Sequence, residues 1–374
     1  MKYRLFSLLF ALLLCVPARA VSAPPEPSAA ACVVMHPETG RVLYERNADE
    51  RLPIASTTKI MTALVVLGQC DPDARVRILP EDTDVEGSSM GLRAGETYTV
   101  EQLLYGLMLC SGNDAALALA RFAGGGVEGF ARLMNGKAAA LGLTRTHFCN
   151  PHGLDEEGHL STARDLAALS CAAMDDPRFR AIVSTAQYAC GDQIYVNHNK
   201  LLNTYPGAIG VKTGYTQAAG RILVSCAERN GTRFVCVTID DPADWDDHAA
   251  LLDWAFSNWR WRVFDDAAYV LPVQSGLRAK CVVLPGDAPG LLLENNARVR
   301  LIAELPRFVF APLRAGEQVG TLTVTAPDGE TASARLICAQ DIPANEALRL
   351  SLSGRLCRGW RLIGRSFFSF DPKF

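Results

Sequence analysis

The spacing of apolar and polar residues predicts an α+β architecture for the first two thirds of the chain. Short alternating or continuous apolar runs predict strands at residues 32–35, 42–44, 209–213, 222–228 and 234–240. Patterns of helical period or continuous apolar character predict helices at residues 56–68, 101–109, 114–122, 160–174 and 245–259. The strands are joined by short turns that contain glycine, which favours antiparallel pairing. Helices inserted between an early hairpin and a late meander predict an antiparallel sheet flanked by helices.

The pattern changes after about residue 266. Short strand-like runs at residues 277–284, 299–305, 318–325 and 332–338 lie between turns that contain glycine and proline. This pattern of short strands and turns predicts a small all-β domain, which we assign to residues 268–350.

Residues 351–374 form a third kind of segment. Its apolar residues recur at three- and four-residue steps, at Leu352, Leu356, Trp360, Ile363, Phe367 and Phe370. Its arginines fall on the opposite helical face, at Arg355, Arg358, Arg361 and Arg365. This is a basic amphipathic helix of the kind that lies on anionic membrane surfaces. Because three glycines weaken it, a frayed tail or a helix docked on the β-domain is the alternative.

The N-terminus has the order of a secretory signal peptide. Lys2 and Arg4 precede an apolar run over residues 5–16, and Ala18-Arg19-Ala20 offers a small-x-small cleavage site, with residue 23 as a second position. We therefore assign residues 1–20 to a signal peptide and the proline- and alanine-rich residues 21–29 to a linker. An uncleaved anchor is the alternative. The prediction is an exported protein held peripherally at the outer face of the cytoplasmic membrane.

Composition changes this picture little. The 374 residues are 49% hydrophobic and 21% charged, with a net charge of -3, so nothing favours nucleic-acid binding. The 12 cysteines are scattered and mostly lie in apolar stretches, which predicts buried free thiols rather than a disulfide framework.

Ser56-Thr57-Thr58-Lys59 is the first motif with chemical meaning. It opens a predicted helix, so Ser56 and Lys59 share one face within side-chain reach. A serine hydroxyl needs a base to become a nucleophile, and a lysine with a lowered pKa can serve. The alternative without catalytic function is a helix-capping serine beside a solvated lysine.

Two further motifs follow at a distance. Ser111-Gly112-Asn113 lies between two predicted helices, where Ser111 could relay a proton and Asn113 could bind a peptide amide. Lys212-Thr213-Gly214 ends a predicted strand, where Lys212 and Thr213 could hold a carboxylate and Gly214 leaves room for a substrate. Taken alone, the second and third motifs are better explained as a turn that caps a helix and as a strand-to-turn junction, and the Ser56 motif is equally well explained as a cap. The three together in this order are not explained in that way.

The combination resembles the motif set of β-lactamases and penicillin-binding proteins. More narrowly, the chain is similar to the low-molecular-mass serine D-alanyl-D-alanine carboxypeptidases of peptidase family S11 type. The similarity includes residues 52–62, 87–89 with 95–96, 150–154 and 210–216, and it spans roughly residues 30–268. We therefore expect a catalytic domain at residues 30–267 with a β-lactamase-like fold.

The resemblance implies a mechanism. Ser56 would attack the penultimate D-alanine of a stem peptide that ends in D-Ala-D-Ala, with Lys59 as base and Ser111 as a proton relay. The backbone amides of Ser56 and Tyr215 would form the oxyanion hole. Lys212 and Thr213 would hold the terminal carboxylate, and β-lactams would acylate Ser56 covalently. His152 would be structural.

This chemistry needs no metal or cofactor. His147, Cys149, His152 and His159 match no common zinc spacing. A β-lactamase, a transpeptidase and a non-catalytic peptidoglycan-binding or penicillin-sensing protein remain as alternatives. Turnover of a D-Ala-D-Ala peptide separates the enzyme from the binder, and the rate of penicillin hydrolysis separates the carboxypeptidase from the β-lactamase.

Overall fold

The computed structural model describes residues 22–295 and 297–345 together with strand Phe368–Phe370. These residues divide into two compact units, with the division between Asn258 and Trp259. The expected signal peptide at residues 1–20 lies outside the described residues. So does most of the expected tail helix at residues 351–374, which the structure does not confirm.

The first unit contains nine strands and nine α-helices among the described residues. In chain order the strands are β1 (Ala31–Met35), β2 (Val42–Arg46), β3 (Arg75–Arg77), β4 (Thr97–Thr99), β5 (Gln187–Cys190), β6 (Gln193–Val196), β7 (Ala208–Thr216), β8 (Gly220–Arg229) and β9 (Thr232–Ile239). The helices are α1 (Lys59–Gln69), α2 (Pro80–Thr83), α3 (Val100–Leu109), α4 (Asn113–Gly124), α5 (Val127–Ala140), α6 (Ala163–Asp175), α7 (Pro177–Ser184), α8 (Leu201–Thr204) and α9 (Asp244–Asn258).

One five-stranded antiparallel sheet organises this unit, in the order β2-β1-β9-β8-β7. Strands β8 and β9 are almost continuously buried, as central strands covered on both faces should be. The turn that joins them has positive φ at both Asn230 and Gly231, the geometry that matches the twist of a hairpin. Strand β7 lies at one edge of the sheet, so part of its backbone remains free to pair with another strand.

Helix α1 packs inside the unit, since every residue from Lys59 to Leu67 is buried. This matches its unbroken apolar sequence. Helix α3 begins with a capping box, in which Thr99 accepts the Gln102 N–H and the Gln102 side chain accepts the Thr99 N–H. The start of the helix that precedes Ser111 is therefore fixed by local chemistry.

Some sequence expectations were incomplete. The helix expected from residue 56 begins with a single 3₁₀ turn, Ala55–Thr58, before α1 starts. The helix expected from residue 160 begins at Ala163, because Leu160 and Ser161 bridge to His147 and Leu52. Helices α5 and α7 and the β5–β6 hairpin were not anticipated.

The second unit is β-rich, as expected. Its strands are β10 (Trp259–Val263), β11 (Tyr269–Gln274), β12 (Lys280–Pro285), β13 (Gly290–Glu294), β14 (Arg300–Leu305), β15 (Val309–Phe310), β16 (Gln318–Thr325), β17 (Thr331–Cys338) and β18 (Phe368–Phe370). All but β10 and β13 form a sheet in the order β15-β11-β12-β17-β16-β14-β18. Its own apolar core includes Leu271, Val283, Leu322, Val324 and Leu336.

The expected domain boundaries need two corrections. Strand β10 pairs with β13, so residues 259–267 belong to the β-rich unit rather than to the catalytic domain. The described part of the expected linker belongs to the first unit, because the Trp254 indole donates to the Ser22 carbonyl and the Ser28 N–H donates to Asp247. Within the tail, Phe368–Phe370 is a strand paired with β14 instead of helix.

None of the helices in the described part of the chain is long and apolar enough to cross a membrane. That part holds ten cysteines, and no disulfide joins any two of them.

Candidate active site

Ser56 lies in the 3₁₀ turn that leads into α1, and Lys59 is the first residue of that helix. The Lys59 Nζ atom lies 2.9 Å from Ser56 Oγ. Ala55, directly before the serine, has a φ of 44°. Left-handed backbone is costly for a residue with a side chain and concentrates at functional sites, and here it fixes the approach to Ser56.

The Lys59 side chain is completely buried and has three oxygen neighbours. Besides Ser56 Oγ, these are Asn113 Oδ1 at 2.7 Å and the His152 carbonyl oxygen at 2.6 Å. Burial lowers the pKa of Lys59 well below its ordinary value of 10.5, and the positive charge of Lys212 lowers it further. The neutral amine that a general base requires is thereby favoured.

Ser111 and Asn113 come to the same site from the α3–α4 connection. Ser111 is buried, has a φ of 62°, and its hydroxyl has no hydrogen-bond partner among the described residues. Asn113 begins α4, and its amide nitrogen donates to the Glu86 carbonyl at 2.7 Å. Asn113 thus joins Lys59 to the loop before α3, while the Ser111 hydroxyl is left available for another molecule.

Asp114 stabilises the same region in a way that the sequence did not reveal. Its buried carboxylate accepts the backbone N–H groups of Met90, Gly91 and Leu92 at 2.8 to 3.0 Å. It also accepts the Ser89 hydroxyl at 2.6 Å. Asp114 therefore holds the loop beside the Ser111–Asn113 motif instead of merely capping a helix.

The third motif lies on edge strand β7. Lys212 is 1% exposed, donates to the Thr213 carbonyl at 3.0 Å, and has its pKa lowered by burial to about 8. A β-carbon on Gly214 would lie 3.2 Å from both the Ala55 β-carbon and the Ser56 backbone nitrogen. Gly214 thus lets β7 approach Ser56, and the neighbouring Tyr215 is 66% exposed.

The loop at residues 149–154 closes the remaining side of Lys59. The Asn150 side chain accepts the Gly153 N–H at 2.7 Å and donates to the Leu154 carbonyl at 3.0 Å, which holds the loop in shape. The His152 ring accepts the Leu154 N–H, and burial lowers its pKa to about 3. His152 therefore stays neutral and offers its backbone carbonyl, rather than its ring, to Lys59.

A cleft of about 330 Å³ opens beside these groups. The predicted residues on its wall are Ser56, Ser111, Thr213, Gly214 and Tyr215. The sequence analysis assigned no role to the rest of the wall, namely Ser88, which lies in the similar segment 87–89, and His198, Lys200, Arg221, Ile222, Asp244 and Trp245. Apart from Ser88, these positions lie in no recognised motif, since they come from separate segments.

Among these additional wall residues, positive charges outnumber negative ones. The guanidinium of Arg221 binds Asp244 at 2.7 Å, so Asp244 compensates one cation. The ammonium of Lys200 lies 5.8 Å from the centre of the Trp245 ring. The cleft therefore favours an anionic ligand.

Other groups near the site have ordinary explanations. Cys110 donates its thiol to the Gly106 carbonyl, and burial raises its pKa to about 11, so it stays protonated. The ring nitrogens of His159 contact Thr58 and the Cys149 backbone. Within residues 22–295 and 297–345, no group of three or more histidine, cysteine, aspartate or glutamate residues is placed to hold a metal.

The chain has relatives among known proteins. The family model described as D-alanyl-D-alanine carboxypeptidase matches residues 18–243. The chain is 42% identical over 253 residues to the D-alanyl-D-alanine carboxypeptidase DacB2 of Mycobacterium tuberculosis, covering 64% of this chain and 86% of that one. It is 32% identical over 333 residues to DacF of Bacillus subtilis, a D-alanyl-D-alanine carboxypeptidase, covering 84% and 85%.

A solved structure also matches the chain. Penicillin-binding protein 5 of Haemophilus influenzae superposes with a TM-score of 0.68 at 28% identity. The match covers 86% of this chain and 99% of that structure, so it includes both units.

Proposed function

The chain belongs to the D-alanyl-D-alanine carboxypeptidase family, peptidase S11, and is an enzyme of that class; from this premise we propose that it works through an acyl-enzyme on Ser56. The substrate is a peptidoglycan stem peptide that ends in D-Ala-D-Ala, and the product is the stem shortened by one D-alanine. β-Lactams inhibit the enzyme by acylating the same hydroxyl.

The observation that carries this proposal is the arrangement of oxygens around Lys59. A neutral amine has two hydrogens and one lone pair. Asn113 Oδ1 at 2.7 Å and the His152 carbonyl at 2.6 Å are placed to accept the two hydrogens. The lone pair then points at Ser56 Oγ, 2.9 Å away. Lys59 is thus oriented to accept the hydroxyl proton of Ser56.

Acylation begins with that proton transfer. Ser56 Oγ forms a bond to the carbonyl carbon of the penultimate D-alanine, while the proton moves to Lys59. Negative charge develops on the carbonyl oxygen, which lies between the backbone N–H groups of Ser56 and Tyr215. Gly214 makes this possible, because any side chain there would crowd the Ser56 nitrogen.

The leaving group departs as free D-alanine. The Ser111 hydroxyl passes a proton from Lys59 to the departing amine, which matches its burial and its lack of a partner among the described residues. Lys212 and Thr213 hold the terminal carboxylate, and the positive cleft favours that anion. Water then attacks the acyl-enzyme, with Lys59 again taking a proton, and releases the shortened stem.

We further propose that the enzyme is exported and lies peripherally on the outer face of the cytoplasmic membrane. The charged and then apolar order of residues 1–20 supports export. The arginine-rich amphipathic pattern of residues 351–367, before strand β18, supports contact with anionic lipids. The substrate itself is on that side of the membrane.

The test is intact-mass analysis of the purified protein before and after incubation with benzylpenicillin. We expect one covalent adduct on the wild type and none on Ser56→Ala, together with D-alanine release from a stem peptide by the wild type only. The matched control is Ser184→Ala, an exposed serine at the end of α7, which should behave as wild type. An adduct on Ser56→Ala, or no adduct and no D-alanine release by the wild type, would refute the mechanism.

A further inference from the structure

His159 connects the two parts of the protein that surround Lys59. One ring nitrogen, Nε2, lies 2.7 Å from Thr58 Oγ1, and Thr58 is the residue directly before Lys59. The other, Nδ1, accepts the Cys149 N–H at 3.0 Å, and Cys149 begins the loop that carries His152. The ring is 3% exposed and lies edge-on to Phe148.

These two hydrogen bonds determine the tautomer. Because Nδ1 accepts a backbone N–H, the proton of the neutral imidazole lies on Nε2 and is donated to Thr58. Neither nitrogen remains available to a substrate or a metal. His159 therefore acts on the reaction only through the groups that it holds.

The held loop provides one of the two acceptors that orient Lys59. The His152 carbonyl lies 2.6 Å from Lys59 Nζ. One turn further along α1, the Thr62 hydroxyl donates to the Pro151 carbonyl at 2.6 Å. The loop is thus attached to residues 58–62 at three points, and His159 supplies the one at Thr58.

We propose that His159 is a positioning residue for acylation: it fixes the distance between the nucleophile turn and residues 149–153, so that the His152 carbonyl directs the lone pair of Lys59 to Ser56. This inference rests on the proposed function, in which Lys59 is the base. A displacement of one ångström between reacting groups is enough to slow a reaction roughly a hundredfold. Strand β7 is not part of this connection, so substrate binding should change little.

The test uses three variants that remove the connection in different ways. His159→Leu removes both hydrogen bonds, Thr58→Val removes the hydroxyl while keeping the shape, and His159→Gln retains an N–H donor near the Nε2 position. We expect the second-order rate of benzylpenicillin acylation to fall roughly tenfold to a hundredfold in His159→Leu. Partial recovery is expected in His159→Gln, with kcat for D-alanine release reduced more than KM is raised.

Thr58→Val combined with His159→Leu should cost no more than the worse single change, because both break one connection. Rates are expressed per molecule that finally forms the adduct, so a loss of folded protein does not imitate the effect. The matched control is His248→Gln, another fully buried histidine hydrogen-bonded to Ser225 and Thr238 away from the cleft. It should lower the unfolding temperature and leave the acylation rate unchanged.

The two proposals fail in different ways. Wild-type protein that forms no penicillin adduct would overturn the proposed function and, with it, the role of His159. Normal wild-type acylation with an unchanged rate in His159→Leu, or an equal loss in His248→Gln, would overturn the positioning role alone.

Discussion

Gly153 lies directly against the Ala55 carbonyl, so closely that a β-carbon on Gly153 would come within 1.9 Å of that oxygen. Its φ of +90° is also one that residues with side chains rarely adopt. The residue before the nucleophile and the loop that faces Lys59 are therefore in contact, and no side chain fits between them.

Gly153→Ala is expected to destabilise the protein by about 3 kcal/mol or more, because backbone must move on one side of the contact. Acylation by benzylpenicillin should also slow, since the His152 carbonyl moves with the loop. The control is Gly158→Ala in the same loop region, where φ is +86° but nothing lies within 4 Å of the added β-carbon. It should cost about 1 kcal/mol and leave acylation unchanged. Equal effects from both would mean that the contact with Ala55 is unimportant.

Asp114→Asn should release the loop at residues 89–92. The substitution keeps the size of the side chain but replaces an acceptor oxygen with an amide that faces backbone N–H groups. We expect a loss of about 2 to 4 kcal/mol in the free energy of unfolding, measured by chemical denaturation. Asp71→Asn, at an exposed turn, is the control and should cost less than about 0.5 kcal/mol. A neutral result for Asp114→Asn would contradict its assigned role.

Lys212→Met should raise the pKa of Lys59, because it removes a positive charge that now lowers it. The rate of penicillin acylation falls as pH decreases through the pKa of the base, since only the neutral amine accepts the Ser56 proton. The midpoint of this acid limb should therefore lie well below 10.5 in the wild type and move to higher pH in the variant. Lys137→Met, in the last turn of α5 and away from the cleft, should not move it. An unmoved midpoint in Lys212→Met would show that the two lysines are electrostatically independent.

Stability should decline on mild acidification. Burial lowers the pKa of His152 and His248 to about 3 and that of His159 to about 4, against 6.5 for the free side chain. As pH falls below 6.5, the unfolded chain therefore binds protons that the folded chain does not, and folding loses free energy down to about pH 3. We expect the unfolding temperature to fall between pH 7 and pH 5. His248→Gln should show a shallower fall, and an unchanged slope would contradict the burial of that group.

Charge removal in the tail should weaken membrane binding without affecting catalysis. The variant changes Arg355, Arg358 and Arg361 together to glutamine. These residues lie outside strand β18, so we expect its pairing with β14 to be kept. Each basic side chain near an anionic surface contributes about 1 kcal/mol, so binding to phosphatidylserine vesicles should fall by roughly two orders of magnitude. Arg314→Gln, at an exposed position in the β-rich unit, is the control for charge. Undiminished vesicle binding by the triple variant would exclude this segment as the anchor.

Much of this protein could be foreseen from local pattern. The apolar sequence after Ser56 predicts a buried helix, and three-residue spacing on a helix brings Lys59 to Ser56 without help from the rest of the chain. The alternating strands from residue 209 onward and the short turn at Asn230 and Gly231 likewise predict antiparallel pairing. These features depend on neighbours a few residues apart, which the sequence displays directly.

What the sequence could not provide depends on contacts between distant segments. Asn113 and the His152 carbonyl become the acceptors for Lys59 only when α4 and the loop at residues 149–154 pack against α1. The spacing of apolar residues in the sequence likewise does not predict the Arg221–Asp244 pair or the contact of Gly153 with Ala55. Boundaries such as that at Trp259 were missed because pairing of β10 with β13, not local propensity, assigns residues to a unit. Local spacing therefore determined which groups could react, while long-range packing decided how they are desolvated, oriented and held.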